Sequence, residues 1–119
     1  RRPPRSTQGV SSAASDVYKR QVYMAAYVIA DVNITDPDLF KKYSEQVPAT
    51  VEQYGGKYLI RGGMIERHEG DWEPTRVVII EFENMSTLKQ WYSSHEYSGP
   101  LQIRQQSADT NVLFLEGIL

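Results

Sequence analysis

The stretch Thr75 to Glu83, TRVVIIEFE, constrains the fold more than any other. It is β-branched and apolar on both alternating faces: Val77 and Ile79 point one way, Val78, Ile80 and Phe82 the other. A strand of this kind needs cover on both sides. Thr110 to Ile118 repeats the arrangement, with Val112 and Phe114 opposed to Leu113 and Leu115. Ala25 to Ile34 predicts a further strand, and Lys57 to Arg67 another, interrupted by Gly62-Gly63.

Helices fall between these strands. Asp36 can cap a helix, Pro37 suits its first position, and Asp38 complements its dipole. Phe40, Tyr43, Val47, Val51 and Tyr54 then trace one helical stripe. Pro48 interrupts the stripe and predicts a kink or short break, and Gly55-Gly56 supplies the stop. Asn84 to Ser94 predicts a second helix, capped by Asn84 or Ser86 and burying Leu88, Trp91 and Tyr92. Ser94 can cap a further short helix reaching about Ser107, disturbed early by Gly99-Pro100.

The order is β-α-β-β-α-β with an extra half-helix, an α+β, ferredoxin-like pattern of four antiparallel strands with helices on one face. Helices on one face leave the other apolar face bare. A second copy of the chain is the simplest cover, so the expectation is a homodimer in which two sheets face each other as a dimeric α+β barrel.

The chain has 119 residues, enough for one domain, and no cysteine. Disulfides, thiolate metal sites and a cysteine nucleophile are excluded, and a reducing, cytoplasmic setting is expected. No apolar run approaches the roughly 20 residues a bilayer crossing needs. Residues 1–23 carry Arg1, Arg2, Arg5, Lys19 and Arg20 against Asp16. The remainder holds 8 Lys+Arg and 14 Asp+Glu, an acidic body that argues against a nucleic-acid module. Residues 1–23 lack hydrophobic periodicity and an apolar signal core. Val10 to Gln21 resembles a translated sequencing-adapter artefact. The expectation is a disordered or artefactual extension over 1–23 and a single domain over 24–119.

Several residues can carry chemistry. Arg61 precedes Gly62-Gly63, which predicts a bulge inside the strand; either the bulge makes room for a ligand, or Arg61 pairs with Glu69 or Glu81. Glu69 belongs to an acidic turn and can orient an arginine or act as a base. Arg76 opens an apolar strand and suits a carboxylate. His95 and Tyr97 lie at a helix-to-helix junction, as an acid–base group and a phenolic donor. Arg104 has no acidic neighbour in the local sequence and suits either a pocket or an intersubunit pair. Glu66 and His68 share a face but lack a third ligand, so no metal is expected. No catalytic-serine motif, phosphate loop or dinucleotide fingerprint is present.

These residues carry a resemblance to a family of small bacterial proteins, domain of unknown function 1330, over Met24 to Gly117. Its carriers are Asp36, Tyr43, Gly55-Gly56, Arg61-Gly62-Gly63, Glu69-Gly70, Arg76, Glu81-Phe82, Trp91-Tyr92, Ser94, Tyr97, Arg104 and Asp109. The resemblance implies a dimeric α+β barrel of ferredoxin-like strand order and no settled reaction. His95 departs from it, standing where members commonly carry proline or another variable residue.

The expected function is binding or transforming a small anionic or aromatic metabolite, without a cofactor, in a pocket between sheet and helices. Tyr27, Trp91 and Tyr97 would line it, Arg61, Arg76 or Arg104 would hold the anion, and Glu69 and His95 complete the candidates. By fold analogy a reaction there would be a cofactor-independent oxygenation or isomerisation. The alternatives are a structural or stress-related dimer whose arginines and carboxylates form intersubunit salt bridges, and an accessory module that binds another protein. No nucleic acid or membrane partner is expected.

Overall fold

In the computed structural model of the chain, residues 24–117 are described. The expectations for residues 1–23 and for Ile118 lie outside them.

The elements are β1 (Ala26–Ile34), α1 (Pro37–Gln53), β2 (Lys57–Arg61), β3 (Val77–Phe82), α2 (Met85–Tyr92), α3 (His95–Ser107) and β4 (Ala108–Glu116). They make one four-stranded antiparallel sheet, ordered β2-β3-β1-β4. This is the ferredoxin-like α+β fold, with the half-helix resolved into the full helix α3.

Local chemistry explains the boundaries. Leu39 N donates to Asp36 Oδ1 at 3.2 Å, Thr87 N to Asn84 Oδ1 at 2.8 Å, and Tyr97 N to Ser94 Oγ at 3.1 Å. Each cap satisfies a first-turn N–H that has no partner within its helix. At the end of α1, Gly55 adopts φ 73°. Gly55 N and Gly56 N then bond back to Glu52 O at 3.0 Å and Val51 O at 2.8 Å, closing the helix.

Two expectations need correction. The second strand does not reach Arg67; it ends at Arg61, because Gly62 (φ 75°) and Gly63 (φ 103°) leave the extended region. The bulge also lies earlier than the glycines. The pairing of β2 with β3 shifts between Tyr58 and Ile60, so Leu59 is the extra residue. Pro48, by contrast, does not divide α1, which runs unbroken from Pro37 to Gln53. Pro48 has no N–H to give Ser44 O four residues back, and the freed carbonyl finds another donor, described below.

The two sheet faces differ. Ala26, Val28, Ala30 and Val32 of β1 are buried under the helices together with Ile80 and Phe82 of β3. Val47 and Val51 of α1, Leu88 and Trp91 of α2 and Tyr97 of α3 close that layer. The other face carries Tyr27, Ile29 and Asp31 opposite Glu81, Ile79 and Val77 on one side and Leu115, Leu113 and Asn111 on the other. Leu113 is 61% exposed there. Among the described residues no helix is long and apolar enough to cross a membrane.

Candidate functional site

The helix-covered face holds a cavity whose volume, counted as positions open to the centre of a water molecule, is about 40 Å³. That suits a few waters or one small polar group, since a water needs roughly 10–15 Å³ on this measure. Val28, Val78, Ile80 and Val112 of the sheet form its floor, α1 and α3 its walls.

Its polar lining is unusual in sign. Arg61, Arg76 and Arg104 all reach it, and among the described residues no carboxylate does. Arg104 is only 4% exposed. Its Nη1 donates to Thr110 Oγ1 at 3.1 Å and its Nη2 to the Tyr92 hydroxyl at 3.2 Å. Arg104 Nε and Arg76 Nε are buried and have no hydrogen-bond partner among the described residues. Buried polar groups are almost always satisfied, and an unpaired buried cation is costlier still. Among the described residues none of these three arginines pairs with a carboxylate.

Arg61 closes one side. Its Nη2 donates to Ser44 O at 2.8 Å and to Ser44 Oγ at 3.2 Å. Ser44 O is the carbonyl that Pro48 leaves free, so the proline inside α1 creates the seat for this guanidinium. Arg61 also lies over the Tyr58 ring, 4.9 Å from its centroid. The pairing with Glu69 or Glu81 expected from the sequence is not formed.

Phenols supply the rest of the lining. The hydroxyls of Tyr43 and Tyr97 are 2.9 Å apart and share a hydrogen bond. Tyr97 stacks on Trp91 with ring centroids 4.2 Å apart. Trp91 Nε1 donates to Thr50 Oγ1 at 3.0 Å, which ties α2 to α1. Burial pushes the Tyr43 phenol far above its ordinary value, and the neighbouring Tyr97 adds to this. Burial likewise raises Tyr97 and Tyr58. All three stay protonated at neutral pH, so the cavity offers hydrogen-bond donors and no base.

The phenol shifts set a pH dependence. An unfolded tyrosine titrates near about 10, whereas the folded phenols hold their protons above that. Their contribution is complete below about pH 10 and is lost as pH rises beyond it. Denaturant unfolding followed from about pH 8 to about pH 11 should show this fall. Tyr43→Phe should flatten it, and an equally steep fall in that variant would contradict the assignment.

Of the candidates from the sequence, the structure brings Arg61, Arg76, Trp91, Tyr97 and Arg104 around one cavity. It leaves three outside. Tyr27 is a correction: it lies on the opposite sheet face, where its hydroxyl donates to Glu81 Oε2 at 3.0 Å. Glu69 is exposed in the connection between β2 and β3, and His95 is exposed at the first position of α3. Neither lines the cavity. Sequence reasoning missed Tyr43, Tyr58 and Ser44 as lining residues. Tyr43 belongs to the helical stripe of α1, which does not tell a cavity-lining hydroxyl from a core side chain, and nothing in the sequence marks the other two. His68 Nε2 meets Glu66 Oε2 at 2.6 Å on the exposed connection, and among the described residues no three potential metal ligands gather.

The family model described as Domain of unknown function (DUF1330) matches residues 25–118. No curated protein matches the chain. Among solved structures it is similar to a protein of unknown function from Rhodopseudomonas palustris, with TM-score 0.64 and 15% identity, over 94% of this chain and 99% of that one. It is also similar to SnoaB, a cofactor-independent oxygenase from Streptomyces nogalater, with TM-score 0.56 and 11% identity, over 76% and 89%. A putative antibiotic biosynthesis monooxygenase from Caulobacter crescentus gives TM-score 0.55 and 15% identity, over 86% and 99%. Identities this low establish a shared fold alone.

Proposed function

The chain belongs to the family described as Domain of unknown function (DUF1330), and from that premise we propose that it binds a small organic anion in the cavity between sheet and helices. The observation that carries this is the pair of buried guanidinium nitrogens, Arg76 Nε and Arg104 Nε, without partners at a cavity that no carboxylate lines. A bound carboxylate or enolate oxygen would compensate the charge of the arginines that line the cavity. The hydrogen-bonded phenols of Tyr43 and Tyr97 leave one O–H free to donate, and the valine and isoleucine floor accepts a compact apolar body. The chemistry such a donor set assists is stabilisation of negative charge on a substrate oxygen. An enolate is the species through which a cofactor-independent isomerisation or oxygenation would pass. Similarity to a cofactor-independent oxygenase is compatible with that reaction class and does not establish it.

The test is a thermal-shift titration of the full chain with acetate and propionate, small enough for the cavity. At about a hundred times the dissociation constant, binding stabilises by about 2.7 kcal/mol, several degrees for a domain of this size. Arg61→Ala should lose much of the response, because Arg61 lines the cavity with its positive charge, and its exposed position means that its removal spares the core. No response in the wild type, or equal responses in both proteins, would sink the reading.

We also propose that the bare sheet face meets a second copy. Leu113, largely exposed, and the half-buried Ile29 and Ile79 form an apolar block across three adjacent strands, and apolar blocks open to solvent mark contact surfaces. Light scattering should give twice the chain mass, and Leu113→Glu should halve it. A stable wild-type monomer at micromolar concentration would rule the dimer out. The cavity arginines lie on the other side of the sheet from this face, so intersubunit ion pairing across it would not engage Arg76 or Arg104.

A further inference from the structure

We propose that Gly62 is a positioning residue for Arg76: it lacks a side chain so that the Arg76 guanidinium can lie against its backbone where Arg76 lines the cavity. This rests on the anion-binding reading above. From the sequence, the Gly62-Gly63 pair suggested room for a ligand, but the group that occupies the space beside Gly62 belongs to the protein. A Cβ built on Gly62 would stand 2.5 Å from Arg76 Nη1, 3.0 Å from Cζ and 3.5 Å from Nη2. The guanidinium is therefore packed flat over the site where any other residue begins. A Cβ on Gly63 would meet nothing within 4 Å.

Neither backbone can retreat. Gly62 N donates to Val77 O at 2.9 Å, and Arg76 O accepts from Val32 N at 2.8 Å. Gly62 is thereby locked to the strand that Arg76 precedes, and Arg76 to β1. A methyl at position 62 leaves the sheet in place and displaces the mobile end of the arginine. That end carries the buried Nε without a partner. Gly62 thus does two separable things. Its φ of 75° ends β2, and its missing side chain seats the cation. Gly63, at φ 103°, shares the first property and lacks the second, which makes it the control.

The experiment compares Gly62→Ala with Gly63→Ala in the full chain. Both carry backbone strain; only the first meets Arg76. The Arg76 side-chain Nε–H resonance, assigned through its loss in Arg76→Lys, reports the position of the guanidinium without any ligand. Acetate affinity from thermal shift reports function. The expected result is a displaced resonance and an affinity about tenfold weaker in Gly62→Ala, the loss of one charge-assisted hydrogen bond. In Gly63→Ala both readouts should stay within about twofold of the wild type, whatever its melting temperature. A resonance unmoved by Gly62→Ala, an unchanged affinity, or equal losses in both variants would overturn the proposal. If the wild type itself ignores acetate, the anion reading fails, and the resonance still decides whether Gly62 seats Arg76.

Discussion

Arg104→Met is expected to abolish the response to acetate while leaving the ligand-free protein at least as stable as the wild type. Arg104 is 4% exposed, with two neutral partners, Thr110 and Tyr92, and no carboxylate. Its charge is buried without compensation in the empty state. Replacing buried charges by apolar groups of similar volume is often neutral, or stabilising by about 1–4 kcal/mol. Methionine is long and unbranched enough to follow the arginine stem. The two lost hydrogen bonds come from a charged donor and cost about 1.5–3 kcal/mol each, offset by the several kcal/mol of holding an uncompensated cation out of water. Denaturant midpoints at unchanged slope give the stability, and the thermal-shift titration gives binding. A group kept for function at the expense of stability leaves this signature of opposed effects. A variant less stable by more than about 2 kcal/mol that still binds acetate would make Arg104 a structural cross-link instead.

Trp91→Ala is expected to destabilise the protein by about 3–5 kcal/mol, a large share of the roughly 5–15 kcal/mol available to a domain. Trp91 is 2% exposed and packs on Phe82 at 5.2 Å and Tyr97 at 4.2 Å between ring centroids. Its Nε1–H holds Thr50 of α1. Deleting it removes the wall behind Tyr97 as well as core volume, so acetate binding should fall too. Trp91→Phe keeps most of the volume and loses the bond to Thr50; about 1–2 kcal/mol is expected. Urea unfolding of the two variants separates packing from hydrogen bonding. An alanine variant within about 1 kcal/mol of the wild type would show that the aromatic cluster does not hold the helices to the sheet.

Much of this was legible because it is local. The stripe from Phe40 to Val51, the caps at Asp36, Asn84 and Ser94, and the helix stop at Gly55-Gly56 depend on neighbours within a turn or two. The two-faced apolar strands followed from alternation alone. The candidate site was legible only in part. Tyr27 was misplaced because alternation says it opposes Ala26 and Val28, not which of the two faces the helices will cover. Arg104 stayed undecided because Gly99-Pro100 breaks the helical pattern of α3, so no face could be assigned to it. Glu69 and His95 suit acid–base chemistry, but the exposed β2–β3 connection and the exposed first residue of α3 hold them away from the cavity.

By itself the sequence determined the elements, their order and the demand for cover on both sheet faces, since these follow from periodicity and steric rules within each segment. Only the tertiary structure decided which residues share the cavity. The extra residue at Leu59 places Tyr58 opposite Ile80 and Arg61 opposite Val78, both on the helix-covered face. Strict alternation would have put Arg61 on the other side. A bulge is a property of two paired strands, because it exists only as a mismatch of register. The seat that Pro48 opens for Arg61 at Ser44 O, and the one Gly62 leaves for Arg76, likewise appear only when separate elements are brought together.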